Sequence, residues 1–276
     1  MMAYVLEDEF GDIIRKARNG KQMSLGQVAS CADITDGQLA QMENYALTPT
    51  ESQVYKIAQG LGLHGTKLLD IAMRRWNPAP PDAESDESLE VVTVSAEVGG
   101  YPVNAYLLVC KRTNATAIID TAAHPGIILQ RVEEIGVKPT MILLTHAHSD
   151  HADGLPVLEK ATGCPAYIHA NEPKPPSLGS LRTLMHGDEL PVGELIVRVL
   201  DTPGHSPGGC SFYAGPVAVA GDAIFAGSIG APNISYGDEI SSVRDHLLSL
   251  PDDVRLFPGH GPSSTVAEEK EHNPFF

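Results

Sequence analysis

The chain is 276 residues long, 42% hydrophobic and 20% charged, a globular composition that excludes wholesale disorder. No apolar run approaches the ~18 residues of a membrane span, and no basic end followed by an apolar stretch opens the chain, so a cytoplasmic protein without a membrane role is expected. The net charge of −16 divides as −1 over residues 1–76, −4 over 77–88 and −11 over 89–276, which disfavours polyanionic partners for the last segment.

The four cysteines, Cys31, Cys110, Cys164 and Cys210, form no C-x-x-C pair and fit free thiols. From the start, Phe10–Arg18 has a helical pattern. Three capping boxes follow, Ser24/Gln27, Thr35/Gln38 and Thr50/Gln53, each ahead of apolar residues at helical spacing. With Thr66–Trp76 this makes about five short helices. Asn77–Ser88 has three prolines, four acids and no large apolar side chain, and is expected to be an extended linker.

Strands then alternate with helices. Leu89–Val98, Val103–Cys110 and Thr116–Thr121 are predicted strands, Pro125–Ile135 a helix and Thr140–Thr145 a buried strand. Leu155–Ala161 is predicted helical, Ala166–His169 a strand, and Leu181–Leu200 two strands around Gly187-Asp188-Glu189. Val217–Ala220 and Val254–Phe257 are predicted strands on either side of a helix over Ile240–Leu250.

Ser24–Asn44 resembles the helix-turn-helix of the phage-repressor (Cro/CI-like) family, with Val28, Ala29, Ile34, Leu39 and Met42 at its apolar framework positions. Leu25 and Asp36 depart from it at the contact positions. Gln38 and Gln41 could still read base edges. Because Asp36–Asn44 contains no Lys or Arg, only weak DNA binding through residues 24–44 is expected, and dimerisation to a homodimer or partner docking is the competing role.

The chemistry concentrates in Thr145–His151, T-H-A-H-S-D-H. His146 and His148 are two apart at the end of a predicted strand, so both imidazoles can point to one side. Asp150 and His151 follow at the turn into the next helix. Three imidazoles and a carboxylate form a ligand set suited to zinc, manganese or iron. His205 in T-P-G-H-S-P-G, Asp222 in A-G-D-A-I-F and His260 in F-P-G-H-G-P each follow a predicted strand.

This series resembles the signature of the metallo-β-lactamase superfamily, over essentially all of residues 89–276. The resemblance implies an αββα sandwich of α+β class behind the small all-α unit, giving domains 1–76 and 89–276 joined by 77–88. It implies a first divalent metal, zinc by first choice, on His146, His148 and His205. A second would lie on Asp150, His151 and His260, with Asp222 bridging. A bridging hydroxide would be the nucleophile, and Asp150 and Asp222 the catalytic carboxylates. Asp120, at the end of a strand, either orients a ligand imidazole or is an ordinary strand-terminal carboxylate, and Cys210 is expected to be a packed thiol. No direct role is expected for His64, His124, His169, His186, His246 or His272.

Within the superfamily, Gly221-Asp222-Ala223-Ile224-Phe225 and the ending from Pro258 to Phe276 look like those of short type II glyoxalases, which implies hydrolysis of a glutathione thioester. The C-terminal helical domain of their longer relatives is not expected here. The chain also has Ala231 where the short relatives usually place an arginine. Lys174, Arg182 and Tyr236 are candidate substitutes for holding a carboxylate. The alternatives are a lactonase, a mononuclear-iron glutathione persulfide dioxygenase, and a transcription regulator with a metal-binding sensor domain.

Overall fold

The computed structural model describes residues 5–81, 87–122, 124–174 and 181–276, so part of the expected linker, residues 82–86, lies outside the described residues. Five helices come first: α1 (Phe10–Gly20), α2 (Leu25–Cys31), α3 (Asp36–Glu43), α4 (Glu51–Leu61) and α5 (Gly65–Ala72). All three expected capping boxes form. Ser24, Thr35 and Thr50 accept from the amides of Gln27, Gln38 and Gln53, whose side chains accept in return from the cap amides. The last helix ends at Ala72 rather than Trp76, and Arg74 turns the chain with a φ of 52°. Ile13, Ile14, Val28, Leu39, Ile57 and Leu68 are fully buried in one core. The guanidinium of Arg18 grips both carboxylate oxygens of the buried Glu43 at 2.6 and 2.8 Å, tying α1 to α3.

The remaining chain folds into two stacked sheets. The first takes β1 (Leu89–Val98), β2 (Tyr101–Cys110), β3 (Ala115–Ile119), β4 (Lys138–Leu143), β5 (Ala166–His169) and β6 (Leu181–Leu184) in chain order, antiparallel up to β3 and parallel after it. Helices α6 (Pro125–Ile135), α7 (Ser149–Ala152) and α8 (Leu155–Thr162) connect its strands. The second sheet contains β7 (Glu189–Val192), β8 (Leu195–Asp201), β9 (Cys210–Ala214), β10 (Val217–Gly221), β13 (Arg255–Pro258) and β14 (Ser264–Thr265), in the spatial order β14-β13-β10-β9-β8-β7. Between β10 and β13 lie the small hairpin β11 (Ile224–Phe225) and β12 (Ser228–Ile229), then α9 (Tyr236–Ser242) running into a π-helical turn over Val243–Leu247. The chain closes with α10 (Val266–His272).

Three differences from the sequence reading have a physical origin. Leu181–Leu200 holds parts of three strands, because Gly193 (φ 62°) makes a second tight turn. The strand β9 is buried on both faces and shows no polar alternation to announce it. The helix expected from Ile240 starts four residues earlier, where Ser235 caps the amide of Asp238.

The sandwich has the αββα layering expected. Apolar residues of α6 and α8 cover one outer face, Tyr106, Leu108, Val199, Phe212 and Val219 fill the space between the sheets, and the π-helical turn and α10 cover the other face. The five N-terminal helices are not a detached appendage. Ile229 and Phe275 belong to their buried cluster, with Tyr236, Ile240 and Phe276 packed against it. The amide of His64 donates to the Pro274 carbonyl at 2.8 Å, and the Trp76 ring stacks on His272 with centroids 4.7 Å apart. This shared core holds α1 over the strand ends described next.

Candidate metal centre

Every candidate ligand follows a strand, and the strand ends converge on one edge of the sandwich. Thr145–His151 follows β4, His205 follows β8, Asp222 follows β10 and His260 follows β13. Ligand atoms of His146, His148 and His205 lie within 4.8 Å of one another, as do those of Asp150, His151 and His260, and those of His146, His151 and Asp222. The carboxylate of Asp222 stands between the two trios. Its Oδ1 is 3.4 Å from His151 Nε2, while its Oδ2 is 3.4 Å from His205 Nε2 and 3.6 Å from His260 Nε2. Asp150 Oδ2 is 3.5 Å from His260 Nε2.

In four of the five imidazoles the outer nitrogen is anchored, which aims the inner one. Nδ1 of His151 bonds Asp120 at 3.0 Å, Nδ1 of His205 the Ala231 carbonyl at 2.8 Å and Nδ1 of His260 the Pro102 carbonyl at 2.8 Å. Nδ1 of His146 lies 3.0 Å from Thr145 Oγ1. In these four rings Nε2 is left for the centre, whereas His148 turns Nδ1 inward, 2.9 Å from His205 Nε2. Such outer partners fix ring orientation and tautomer in metal sites.

Backbone glycines allow the crowding. A Cβ on Gly259 would sit 2.1 Å from Asp222 Oδ1 and 2.6 Å from His151 Cε1. Gly221, at φ 52°, carries the chain past Thr145 into Asp222.

The electrostatics are those of a cation site. Burial, reinforced by the neighbouring imidazoles, pushes His146 far below the ordinary histidine range, and burial also lowers His205 against the pull of Asp222. Burial would lower His151 too, but Asp222 and Asp120 outweigh it and hold it up at about 9. At His260 the hydrogen bond to Asp150 likewise overcomes burial and raises it. Burial works to raise Asp222 and Asp150, yet the facing imidazoles keep both carboxyls below their usual range. Positive charge is therefore favoured between these carboxylates. His146 Nε2, His151 Nε2 and Asp222 Oδ1 are buried with no hydrogen-bond partner, a costly arrangement that divalent metal ions would satisfy. The residues fit two such ions.

All seven candidate ligands thus come together. Asp120 lies behind His151, and also accepts from the amide and hydroxyl of Thr145 at 2.8 Å each. Cys210 is a buried thiol, its Sγ 3.6 Å from the Thr145 carbonyl. Outside the centre, His169 pairs with Asp201 at 3.1 Å, and His186 lies against His246.

Other residues carried no sequence signal. Glu172 is buried and accepts from the amides of Ala147 at 2.9 Å and Gly208 at 2.7 Å, stitching the two histidine loops together. The cleft leading to Asp150, His205, Asp222 and His260 has a volume of about 880 Å³, and its other walls include Glu7, Arg15, Lys16 and Tyr45 from the N-terminal helical unit. Lys174, Arg182 and Tyr236 are not among its lining residues: Arg182 lies on the Tyr167 ring and Tyr236 packs into the shared core.

The sequence profile of the Metallo-beta-lactamase superfamily matches residues 98–260, which contain all seven candidate ligands and leave the N-terminal helices outside. A probable metallo-hydrolase of Bacillus subtilis (strain 168), YqgX, is 35% identical over 200 residues, covering 64% of this chain and 94% of that protein. The hydroxyacylglutathione hydrolase GloC of Haemophilus influenzae is 30% identical over 211 residues, 68% of this chain and 97% of its own. Among solved structures, TTHA1623 in a di-iron-bound form superposes with a TM-score of 0.58 at 33% identity, covering 66% of this chain and 100% of that one. With the ligand geometry and a profile match over more than half its length, the chain belongs to the metallo-beta-lactamase superfamily.

Proposed function

We propose that the protein is a dinuclear metal-dependent hydrolase of thioesters, with a hydroxyacyl thioester of glutathione as its substrate. The observation that carries this reading is Asp222, whose two oxygens face imidazoles of both trios. His146, His148 and His205 would hold one divalent ion and Asp150, His151 and His260 the other, with Asp222 shared. Ions bound there supply Lewis acidity toward the substrate carbonyl and lower the pKa of water toward neutrality.

The chain's own groups then have defined tasks. Asp120, Thr145 and the Ala231 and Pro102 carbonyls hold the imidazoles in register. Asp150 is 30% exposed at the cleft and stays ionised through neutral pH, so its carboxylate accepts from and orients the attacking water rather than storing a proton. Once the imidazoles are ligands, none is free to protonate a departing amine. A thiol with a pKa of about 8.5 leaves as thiolate without such help, which favours a thioester over an amide. Similarity to the hydroxyacylglutathione hydrolase of H. influenzae supports the same choice.

Imidazole and carboxylate donors suit zinc, the first choice, and equally iron. Likeness to a protein solved with two irons gives iron as the second reading of the metal. The test is metal analysis of the purified chain, followed on the same sample by S-lactoylglutathione, a lactone and glutathione persulfide. Two metals per chain with thioester turnover is the expected result. Lactone turnover alone, or oxygen consumption with a single iron, would overturn the thioester assignment.

A further inference from the structure

We infer that the N-terminal helical unit supplies the recognition site for the thiol half of the substrate, with Arg15 binding a carboxylate of that half. The inference rests on the thioester reading above and names which residues grip the substrate. The cleft of about 880 Å³ has the metal ligands at one end and side chains of α1 and of the turn after α3 along its walls. That volume suits a peptide-sized ligand, with the reacting acyl end at the ligands and the thiol half against the helices.

Among the described residues, Arg15 and Lys16 are the arginine and lysine side chains lining this cleft. Lys16 is already committed. Its ammonium bonds Asp8 and the Ile229 carbonyl, sits 4.6 Å from the centre of the Phe225 ring, and its side chain is only 15% exposed. Lys16 therefore fastens α1 to the β11–β12 hairpin. Arg15 is different. Its side chain is 39% exposed, its Nη1 donates to the Glu43 carbonyl at 2.9 Å, and its Nη2 pairs with Asp12. Two contacts hold the guanidinium plane still and leave other N–H donors of the fork for a ligand, the arrangement that suits a carboxylate.

The flanking groups are consistent with a zwitterionic peptide. Glu7 makes no side-chain hydrogen bond or ion pair among the described residues and offers an acceptor to an amide N–H or an ammonium. Tyr45 and Tyr101, 54% and 67% exposed, give the cleft aromatic surface. Tyr45 is held at φ 61°, a left-handed conformation that favours glycine, and its hydroxyl bonds Asp12 beside Arg15.

The experiment is calorimetric titration of the full-length, metal-loaded protein with S-methylglutathione, an unreactive thioether, and with its diethyl ester, which lacks the carboxylate charges. Wild type should prefer the diacid by tenfold or more. Arg15→Gln should weaken the diacid by at least tenfold, about 1.4 kcal/mol, and the diester by less than threefold. Tyr45→Gly relieves the left-handed backbone, so its melting temperature should not fall, yet it should weaken both ligands severalfold. Equal binding of diacid and diester by wild type, an equal loss of both in Arg15→Gln, or no effect of Tyr45→Gly would overturn the site. Arg15-dependent binding without any thioester turnover would support the site and overturn the hydrolase reading.

Discussion

Asp222 and Asp120 are both buried carboxylates within reach of His151, but they face different tasks, and substitution separates them. Asp222 faces both histidine trios, so Asp222→Ala should leave a folded chain that binds fewer than two metals and shows no turnover. Asp120 touches no opposite trio and accepts from His151, the Thr145 amide and the Thr145 hydroxyl. Asp120→Asn keeps the shape but loses one acceptor. It should lower metal affinity 10–100-fold, the usual cost of an outer partner, while two metals still bind at saturation. Competition with a chromogenic chelator measures both, and equal stoichiometry in the two variants would contradict the bridge. The candidate ligands were legible in sequence because each sits in a loop that follows a predicted strand. Glu172 was not, because its partners Ala147 and Gly208 are distant in sequence and are backbone amides, which no side-chain pattern marks.

At the scale of elements, local chemistry was readable where the chain's own neighbours decide it. The capping boxes at Ser24, Thr35 and Thr50 formed as spaced. The strand β9 escaped because tertiary burial, not periodicity, fixes it; helix α10 was missed although Thr265 and Glu268 form a capping box at its start. Within α10, Glu269 is fully buried and accepts from the Gly227 amide and Asn273 Nδ2; burial overrides these bonds and pushes it up to about 7. A carboxyl raised on folding binds its proton more tightly in the native state. Its contribution is therefore greatest below the unfolded value of 4.5 and declines as pH rises through 7. Glu269→Gln should remove up to about 3 kcal/mol of that decline, at about 1.4 kcal/mol per unit. Urea unfolding at pH 5 and pH 8 checks it: the variant should gain on wild type at the higher pH, and a parallel offset at both would refute the assignment. In the other unit, the exposed positions of α3 include Asp36, Gln38 and Gln41 but no base. We expect the full chain to bind duplex DNA with a Kd no tighter than micromolar at physiological salt. A sequence-selective nanomolar shift in a mobility assay would contradict this.

At the scale of the molecule, the composition break at residues 77–88 suggested two bodies on a tether, yet α1–α5 share a core with Ile229 and Phe275. No sequence pattern could show this, since Ile229 and Phe275 are unremarkable until the helices meet them. The consequence is cooperative unfolding. Removing α1–α5 would expose that apolar surface and dismantle one wall of the cleft, so the helices should not melt ahead of the sandwich. Trp76, the single tryptophan, reports on this contact: it stacks on His272, and a Cβ on Gly227 would lie 2.8 Å from its ring. Its fluorescence and the far-UV circular dichroism should therefore trace one superimposable thermal transition. Metal binds only the native centre, so at a hundredfold excess over Kd it adds about 2.7 kcal/mol, and a chelator should lower both traces together by about 5–10 °C. A Trp76 transition well below the main one, and indifferent to the chelator, would mean that the helices undock first. The substrate cleft would then have no fixed wall at α1.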